Sequence, residues 1–213
     1  MEKLIHSLQA HSLKKNVERI ISSLDVKLQN GKDLSIVFLD LYNRDLISQS
    51  EYLFYKTKFI VQHTTSSIEN VFRDGHCGIY VYDDVDKCVW NVFSNSMSNE
   101  FNVWINGLTI EKNPICLINN EYLFIQDILI DTPDLPKKYR EILLKFGYRS
   151  LLVHPLMHNN QVQGYSVLLF KDLRTLNDKE LPYFITKSNF LVEKLYSYRS
   201  HLMKVIRNNE TIT

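Results

Sequence analysis

Cysteines, histidines and a set of large aromatics are the side chains of this 213-residue chain with most chemistry to offer. Cys77, Cys88 and Cys116 contain no CxxC pair and are odd in number, so their spacing makes neither a thiolate metal site nor a disulfide framework. Each is flanked by strand-type apolar residues, the setting of small core thiols. A nucleophilic thiol needs a pKa lowered by a cation or a helix start, and the sequence shows no such setting. Asp83, Asp84 and Asp86 share one turn, but a calcium loop needs a longer ligand ladder with Gly and a closing Glu. Aspartate is common in turns because it bonds its own backbone. No HExxH, Walker loop, GxSxG or paired-carboxylate constellation occurs, so the chain does not read as an enzyme and has no catalytic or metal residues to name.

What the residues do offer is a binding surface. Tyr80, Tyr82, Trp90, Phe101, Trp104, His154 and Tyr165 form an aromatic and hydrogen-bonding set suited to a planar or amphipathic ligand. The alternative for each tyrosine and for Trp90 is a core position with its polar tip on backbone or water. Strand alternation puts Tyr80 and Tyr82 on one face, and Ser150, Leu152 and His154 on one face, without saying which face holds the pocket. His154, in an apolar strand just before Pro155, reads as a buried neutral imidazole. Only it and His76 keep a haem reading open. Arg149 is placed either to hold an anion or to pair with Asp127 or Asp131. No pattern identifies a cofactor.

The elements that must position these residues follow from periodicity. Over 2–29, Leu4, Ile5, Leu8, Leu13, Val17, Ile20, Ile21 and Leu24 fall at helical spacing, and Asn30-Gly31 stops the helix. The apolar run Leu34 to Tyr42 is compatible with helix or strand, with helix favoured. Ser48 and Glu51 make a capping box that starts a helix to about Phe72, closed by Asp74-Gly75. Cys77 to Tyr82 and Cys88 to Phe93 predict a hairpin. Arg149 to Met157 and Val162 to Phe170, joined by His158-Asn159-Asn160-Gln161, predict a second. Between them lie a short helix near 101–111, a strand at Ile115 to Ile118 and a helix over Lys137 to Lys145 that Gly147 ends. Antiparallel pairs interrupted by helices make an α+β pattern. Asn177 and Glu180 cap a last helix in which Leu181, Phe184, Ser188, Leu191, Leu195, Tyr198, Leu202 and Val205 follow a heptad seam. From that seam a homodimer interface is expected at Leu191, Leu195, Tyr198, Leu202 and Val205. The seam's run toward Thr213 leads to the expectation of an output domain or partner beyond it.

Composition sets the outer bounds. Apolar residues at 45% supply a core, and 25 Lys plus Arg against 24 Asp plus Glu remove the net field that attracts nucleic acid or anionic membranes. No apolar stretch approaches the roughly 20 residues of a membrane span, and the start Met1-Glu2-Lys3-Leu4 has no signal-peptide pattern. A cytoplasmic protein without direct nucleic-acid or membrane partners is expected.

The run Gly147-Tyr148-Arg149-Ser150 through Pro155-Leu156, the polar turn, Gly164 to Phe170 and the helix after Asn177 together resemble a GAF domain, over about residues 48–200. The order of upstream elements agrees, with Pro114 to Ile118 similar to the strand after the family's middle helix and Asp127 and Asp131 where its members often carry acidic residues. The resemblance implies a GAF/PAS-like central antiparallel sheet, the first and last helices packed on one face and a small-molecule pocket on the other. It implies a sensory or regulatory module that binds a small ligand or has lost one, dimerises and signals to a downstream effector. It also carries the alternatives of a ligand-free scaffold module and of a thiol-dependent free methionine sulfoxide reductase. The chain departs from the cyclic-nucleotide branch at Phe170-Lys171, and no Cys-His pair matches the bilin-attaching branch. The expected organisation is a helical extension at 1–46, a GAF-like core at 47–176 and a docking and signalling helix at 177–213.

Overall fold

A computed structural model describes residues 34–110, 121–130, 135–196 and 198–199. The helix expected over 2–29, the strand Ile115 to Ile118, Cys116, Asp131, Leu202 and Val205 lie outside the described residues. The chain divides into two compact units, Met1–Tyr52 and Leu53–Thr213.

In the first unit the open assignment at Leu34 resolves to helix, α1, Leu34–Asn43. The capping box then starts α2, Gln49–Val71. The Ser48 hydroxyl accepts from the Glu51 amide at 3.3 Å, and the Glu51 carboxylate accepts from the Ser48 amide at 2.8 Å. Two amides that a helix start leaves unpaired are thereby satisfied.

In the second unit a single antiparallel sheet carries the order β3-β2-β1-β6-β5-β4. Its strands are β1 Gly75–Asp83, β2 Cys88–Ser94, β3 Leu108–Thr109, β4 Leu123–Ile125, β5 Ser150–His158 and β6 Gln161–Phe170. Both expected hairpins are present, and β1 pairs with β6 to join them. The β5–β6 turn places Asn159 and Asn160 at φ of 49° and 60°, the left-handed pair that a two-residue hairpin demands and that Asn tolerates. In the first turn the Asp83 carboxylate accepts from the Val85 and Asp86 amides, so that carboxylate is occupied by turn backbone.

The sheet joins closely at Gly164. A Cβ there would lie 2.1 Å from the Tyr80 carbonyl oxygen, so only glycine lets β6 approach β1 at this point. The glycine that opens the run Gly164 to Phe170 is thus a spacing residue.

One sheet face is covered by the part of α2 that belongs to this unit, from Leu53 onward, and by α5, Glu180–Phe190. Ile68, Phe72, Cys77, Leu152, Leu168, Phe170 and Phe184 form one apolar cluster there, and Val61, Ile79, Val81, Leu156, Leu191, Leu195 and Tyr198 a second. The start of α5 is capped as expected: the Asn177 carboxamide oxygen accepts from the Glu180 amide at 3.0 Å while Glu180 accepts from the Asn177 amide at 2.9 Å. Helix hydrogen bonding is interrupted at Leu191 and helical conformation resumes at 192. Here the described part of the seam packs within its own chain. Leu191, Leu195 and Tyr198 are buried against the chain's own sheet, because three- and four-residue spacing serves sheet packing as well as a partner helix. They present no free face to a second copy.

The opposite face is covered by α3, Asn99–Ile105, and α4, Lys137–Lys145. The expectation of helices on one face holds for the long ones. The short pair is required because the outward row of Tyr80, Tyr82, Val153 and Tyr165 is itself apolar and must be buried. Helix α3 stops before the expected residue 111 since Gly107 takes φ of 73° and turns the chain into β3.

Candidate functional site

Strand alternation sends Tyr80, Tyr82 and Tyr165 to the face under α3 and α4, where Phe101 reaches them from α3. Tyr80 and Tyr165 are cross-strand partners, and the Tyr82 and Tyr165 rings meet edge to face at 6.1 Å. Phe101 stands edge to face against Phe146 at 5.3 Å and Tyr148 at 5.4 Å. This is the arrangement in which aromatic quadrupoles attract. Of the seven residues expected to bind a ligand, four converge here: Tyr80, Tyr82, Phe101 and Tyr165.

The other three do not join them. Trp90 pairs with Val81 and packs with the cluster under α2 and α5. His154 pairs with Ser166 on that same helix-bearing face and bonds Asn189 through Nε2 at 2.9 Å. Both therefore point away from the tyrosines. Trp104 is on the outer side of α3, 49% exposed, with the Lys145 ammonium 4.1 Å from its ring centroid, a cation–π contact that ties α3 to α4.

Two residues absent from the expected set complete the site. Met97 offers its thioether to the Tyr80 hydroxyl at 3.2 Å, a weak acceptor for a buried donor. Tyr148 lies between Phe101 and His76, its hydroxyl 3.0 Å from His76 Nδ1. Tyr148 sits inside the Gly-Tyr-Arg-Ser run, so its tyrosine identity beside a strand start was the available signal. The Tyr80 ring folds back over Gly78, whose Cβ would lie 2.8 Å from the ring and 3.0 Å from the Met97 methyl. The missing side chain of Gly78 is thus the space that Tyr80 fills.

Burial sets the electrostatics. It raises the Tyr80 hydroxyl far above the ordinary phenol range, with Tyr148 and Cys77 adding to the rise, and pushes Tyr148 up to about 12. His76 is lowered by burial and by nearby Lys171, against the opposing pull of Glu69. Tyr148 therefore stays a protonated phenol and His76 a neutral imidazole near neutral pH, and the histidine tautomer sets which of the two donates. The face carries hydroxyls without formal charge, which suits a neutral or weakly polar aromatic ligand. His76 and His154 stand on opposite sides of the sheet, so they cannot ligate one iron. The Cys77 thiol is raised well above its ordinary value by burial and by Glu69, the reverse of what a nucleophile needs. Cys88 is also buried.

At the sheet end, Arg149 Nη2 donates to both Asp127 carboxylate oxygens at 3.2 Å, and Asp127 accepts from the Leu129 amide at 3.0 Å. Of the two roles open to Arg149 this is the structural one. Ser150 reinforces it by donating toward the Gln126 and Asp172 carbonyls at 2.8 and 2.7 Å. Among the described residues no group of His, Cys, Asp and Glu is arranged to hold a metal ion, and no helix is long and apolar enough to cross a membrane.

No protein-family model and no curated protein matches the sequence. Solved structures do match in fold. The GAF domain/HD domain protein from Geobacter sulfurreducens aligns at TM-score 0.58 and 14% identity, over 72% of this chain and 99% of that one. The blue-light absorbing form of the PixJ GAF domain from Thermosynechococcus elongatus aligns at TM-score 0.56 and 15% identity, over 76% and 96%. A GAF domain from Synechocystis in its photoproduct state aligns at TM-score 0.51 and 15% identity, over 70% and 98%. With this sheet order, the long helices on one face and an aromatic face under two short helices on the other, the chain has the fold of a GAF domain.

Proposed function

We propose that this protein is a sensory or regulatory GAF-type module that takes a small planar ligand against Tyr80, Tyr82, Phe101 and Tyr165. The observation that carries the reading is the concentration of hydroxyl-bearing aromatics on the sheet face away from the long helices. Tyr80, whose hydroxyl has a thioether acceptor, is the side chain that a ligand with a carbonyl or ring nitrogen would draw away from Met97. Movement of Tyr80 acts on β1, which pairs with β2 and β6, and α5 with Val192, Leu195 and Tyr198 beyond it rests on the far side of that sheet. Signalling in this reading is a change in the packing of those helical residues, passed to an output domain or a partner. Self-association rests on Leu202 and Val205, outside the described residues, together with the exposed Phe190 and Tyr196. A cytoplasmic setting and the division at 47–176 and 177–213 belong to the same proposal.

The test is a thermal-shift screen of planar heteroaromatic compounds. A ligand at one hundred times its Kd stabilises by about 2.7 kcal/mol, or about 5 to 11 °C for a chain of this size. A binder of this site loses that shift in Tyr165→Ala and keeps it in Trp104→Ala. A binder indifferent to Tyr165 contradicts the assignment.

A ligand-free module is the second reading, and one observation favours it: Tyr80, Tyr82 and Tyr165 are only 4 to 8% exposed, so the face is already filled by its own side chains. That reading predicts no stabilising compound and an ordinary core-truncation loss in Tyr165→Ala.

A further inference from the structure

Four buried polar side chains, one from each of four elements, form a layer across the helix-bearing face. Thr65 of α2, His154 of β5, Ser166 of β6 and Ser188 of α5 are 0 to 2% exposed. Their neighbours along each element belong to two separate apolar clusters. Leu152 and Leu156 flank His154, Phe184 and Leu191 flank Ser188, and Val61 and Ile68 flank Thr65, in each case one member from either cluster. The polar layer is what divides them.

His154 and Ser166 are direct cross-strand partners, which places their side chains on one face with Cβ atoms about 4.5 to 5.5 Å apart. Nε2 of His154 faces the Asn189 carboxamide oxygen at 2.9 Å. With that oxygen as acceptor, Nε2 carries the proton of the neutral ring and Nδ1 offers a lone pair. Nδ1 of His154, Oγ of Ser166 and Oγ of Ser188 all lack a hydrogen-bond partner within the protein while fully buried. The Thr65 hydroxyl instead donates to the Val61 and Gln62 carbonyls. Ser188 and Asn189 are consecutive, so one turn of α5 supplies both a bonded and an unbonded group to the same imidazole layer. That turn immediately precedes Leu191, whose amide points back to the Ser188 and Asn189 carbonyls.

Buried polar groups are almost always paired, and internal water does the pairing when two to four such groups converge. We propose that this layer is an internal hydration site: one water molecule donates to His154 Nδ1 and is held by the hydroxyls of Ser166 and Ser188. The water bonds the β5–β6 hairpin to the last turn of α5. Apolar contacts alone would let α5 slide along the sheet at little cost. A shared water with fixed partners gives the helix one docked position, the specificity role of buried polar layers.

The test combines imidazole nitrogen NMR with water-to-protein cross-relaxation on the intact chain. Expected are the Nε2–H tautomer at His154, an Nδ1 shift moved in the hydrogen-bonded direction, and cross-peaks from a long-lived water to protons of Ser166 and Ser188. Ser188→Ala removes one holder at nearly constant volume and should abolish the cross-peaks or shorten the water's residence at least tenfold. Should that variant fail to fold, Ser166→Ala makes the same measurement. Absence of long-lived water at these protons in the folded wild type overturns the proposal. So does a high-resolution crystal structure in which a serine hydroxyl bonds Nδ1 directly, or cross-peaks unchanged in the alanine variant.

Discussion

Replacing Gly164 by alanine tests the junction that holds both halves of the aromatic face. The new Cβ would sit 2.1 Å from the Tyr80 carbonyl oxygen, about 1.3 Å inside the 3.4 Å at which ordinary contact begins, and 3.1 Å from Val81 Cα. The obstacle is backbone, so no rotamer change relieves it. Strands paired at about 4.8 Å must separate by a quarter of their spacing, enough to break the ladder bonds beside the Tyr80↔Tyr165 and Val81↔Gly164 pairs. One or two lost hydrogen bonds at about 1 kcal/mol each, added to an overpacking cost of about 1 to 3 kcal/mol, give a loss of about 2 to 5 kcal/mol. Urea unfolding followed by tryptophan fluorescence measures it as a lowered midpoint at unchanged slope. Gly147→Ala is the control: its φ of 79° strains alanine, yet nothing stands within 4 Å, so about 1 kcal/mol is expected. A Gly164→Ala loss below that of Gly147→Ala would refute the reasoning, since contact and not conformation would then have no weight.

Further expectations concern the two faces. Phe101→Ala empties a site between Phe146 and Tyr148 and should cost about 3 to 5 kcal/mol in the same urea assay; a loss under 1 kcal/mol would mean that α3 does not seal the face. Tyr80→Phe removes a buried hydroxyl whose acceptor is the Met97 sulfur, so stability should stay within about 1 kcal/mol of wild type, whereas a well-paired buried hydroxyl would show a larger loss. Burial lowers the pKa of both His76 and His154 in the folded chain. The unfolded chain therefore binds more protons just below pH 6.5, and stability is full above that value and falls as pH drops from about 6.5 toward the folded values. Unfolding free energies measured between pH 5.5 and 7.5 check the sign, and stability that rises on acidification would contradict it.

Much of the architecture was legible because it depends on local signals. The Ser48–Glu51 box, the Asn159-Asn160 turn, the Lys137 to Lys145 helix and both hairpins are written in short stretches of chain, and each forms where expected. What local signals do not carry is the relation between strands. Alternation groups Tyr80 with Tyr82, but only the register Trp90↔Val81 and His154↔Ser166 shows that Trp90 and His154 belong to the other face. A one-residue change in pairing would reverse that outcome. The heptad seam was ambiguous for a different reason. Apolar residues spaced for a partner helix are equally spaced for a sheet, and Leu191 and Leu195 are buried in the chain's own core. Met97 was invisible because it reaches the site from a loop, where no periodicity points.

The central claim is that the Tyr80, Tyr82, Phe101 and Tyr165 face receives a small molecule. Native mass spectrometry of the protein purified from cells, with an absorption spectrum on the same sample, tests it most directly. A retained mass above that of the polypeptide is expected, released on denaturation, absorbing in the near ultraviolet or visible, and lost in Tyr165→Ala while the variant stays folded. Bare polypeptide mass for the wild type, with no compound retained after incubation with extracts of the same cells, would contradict it.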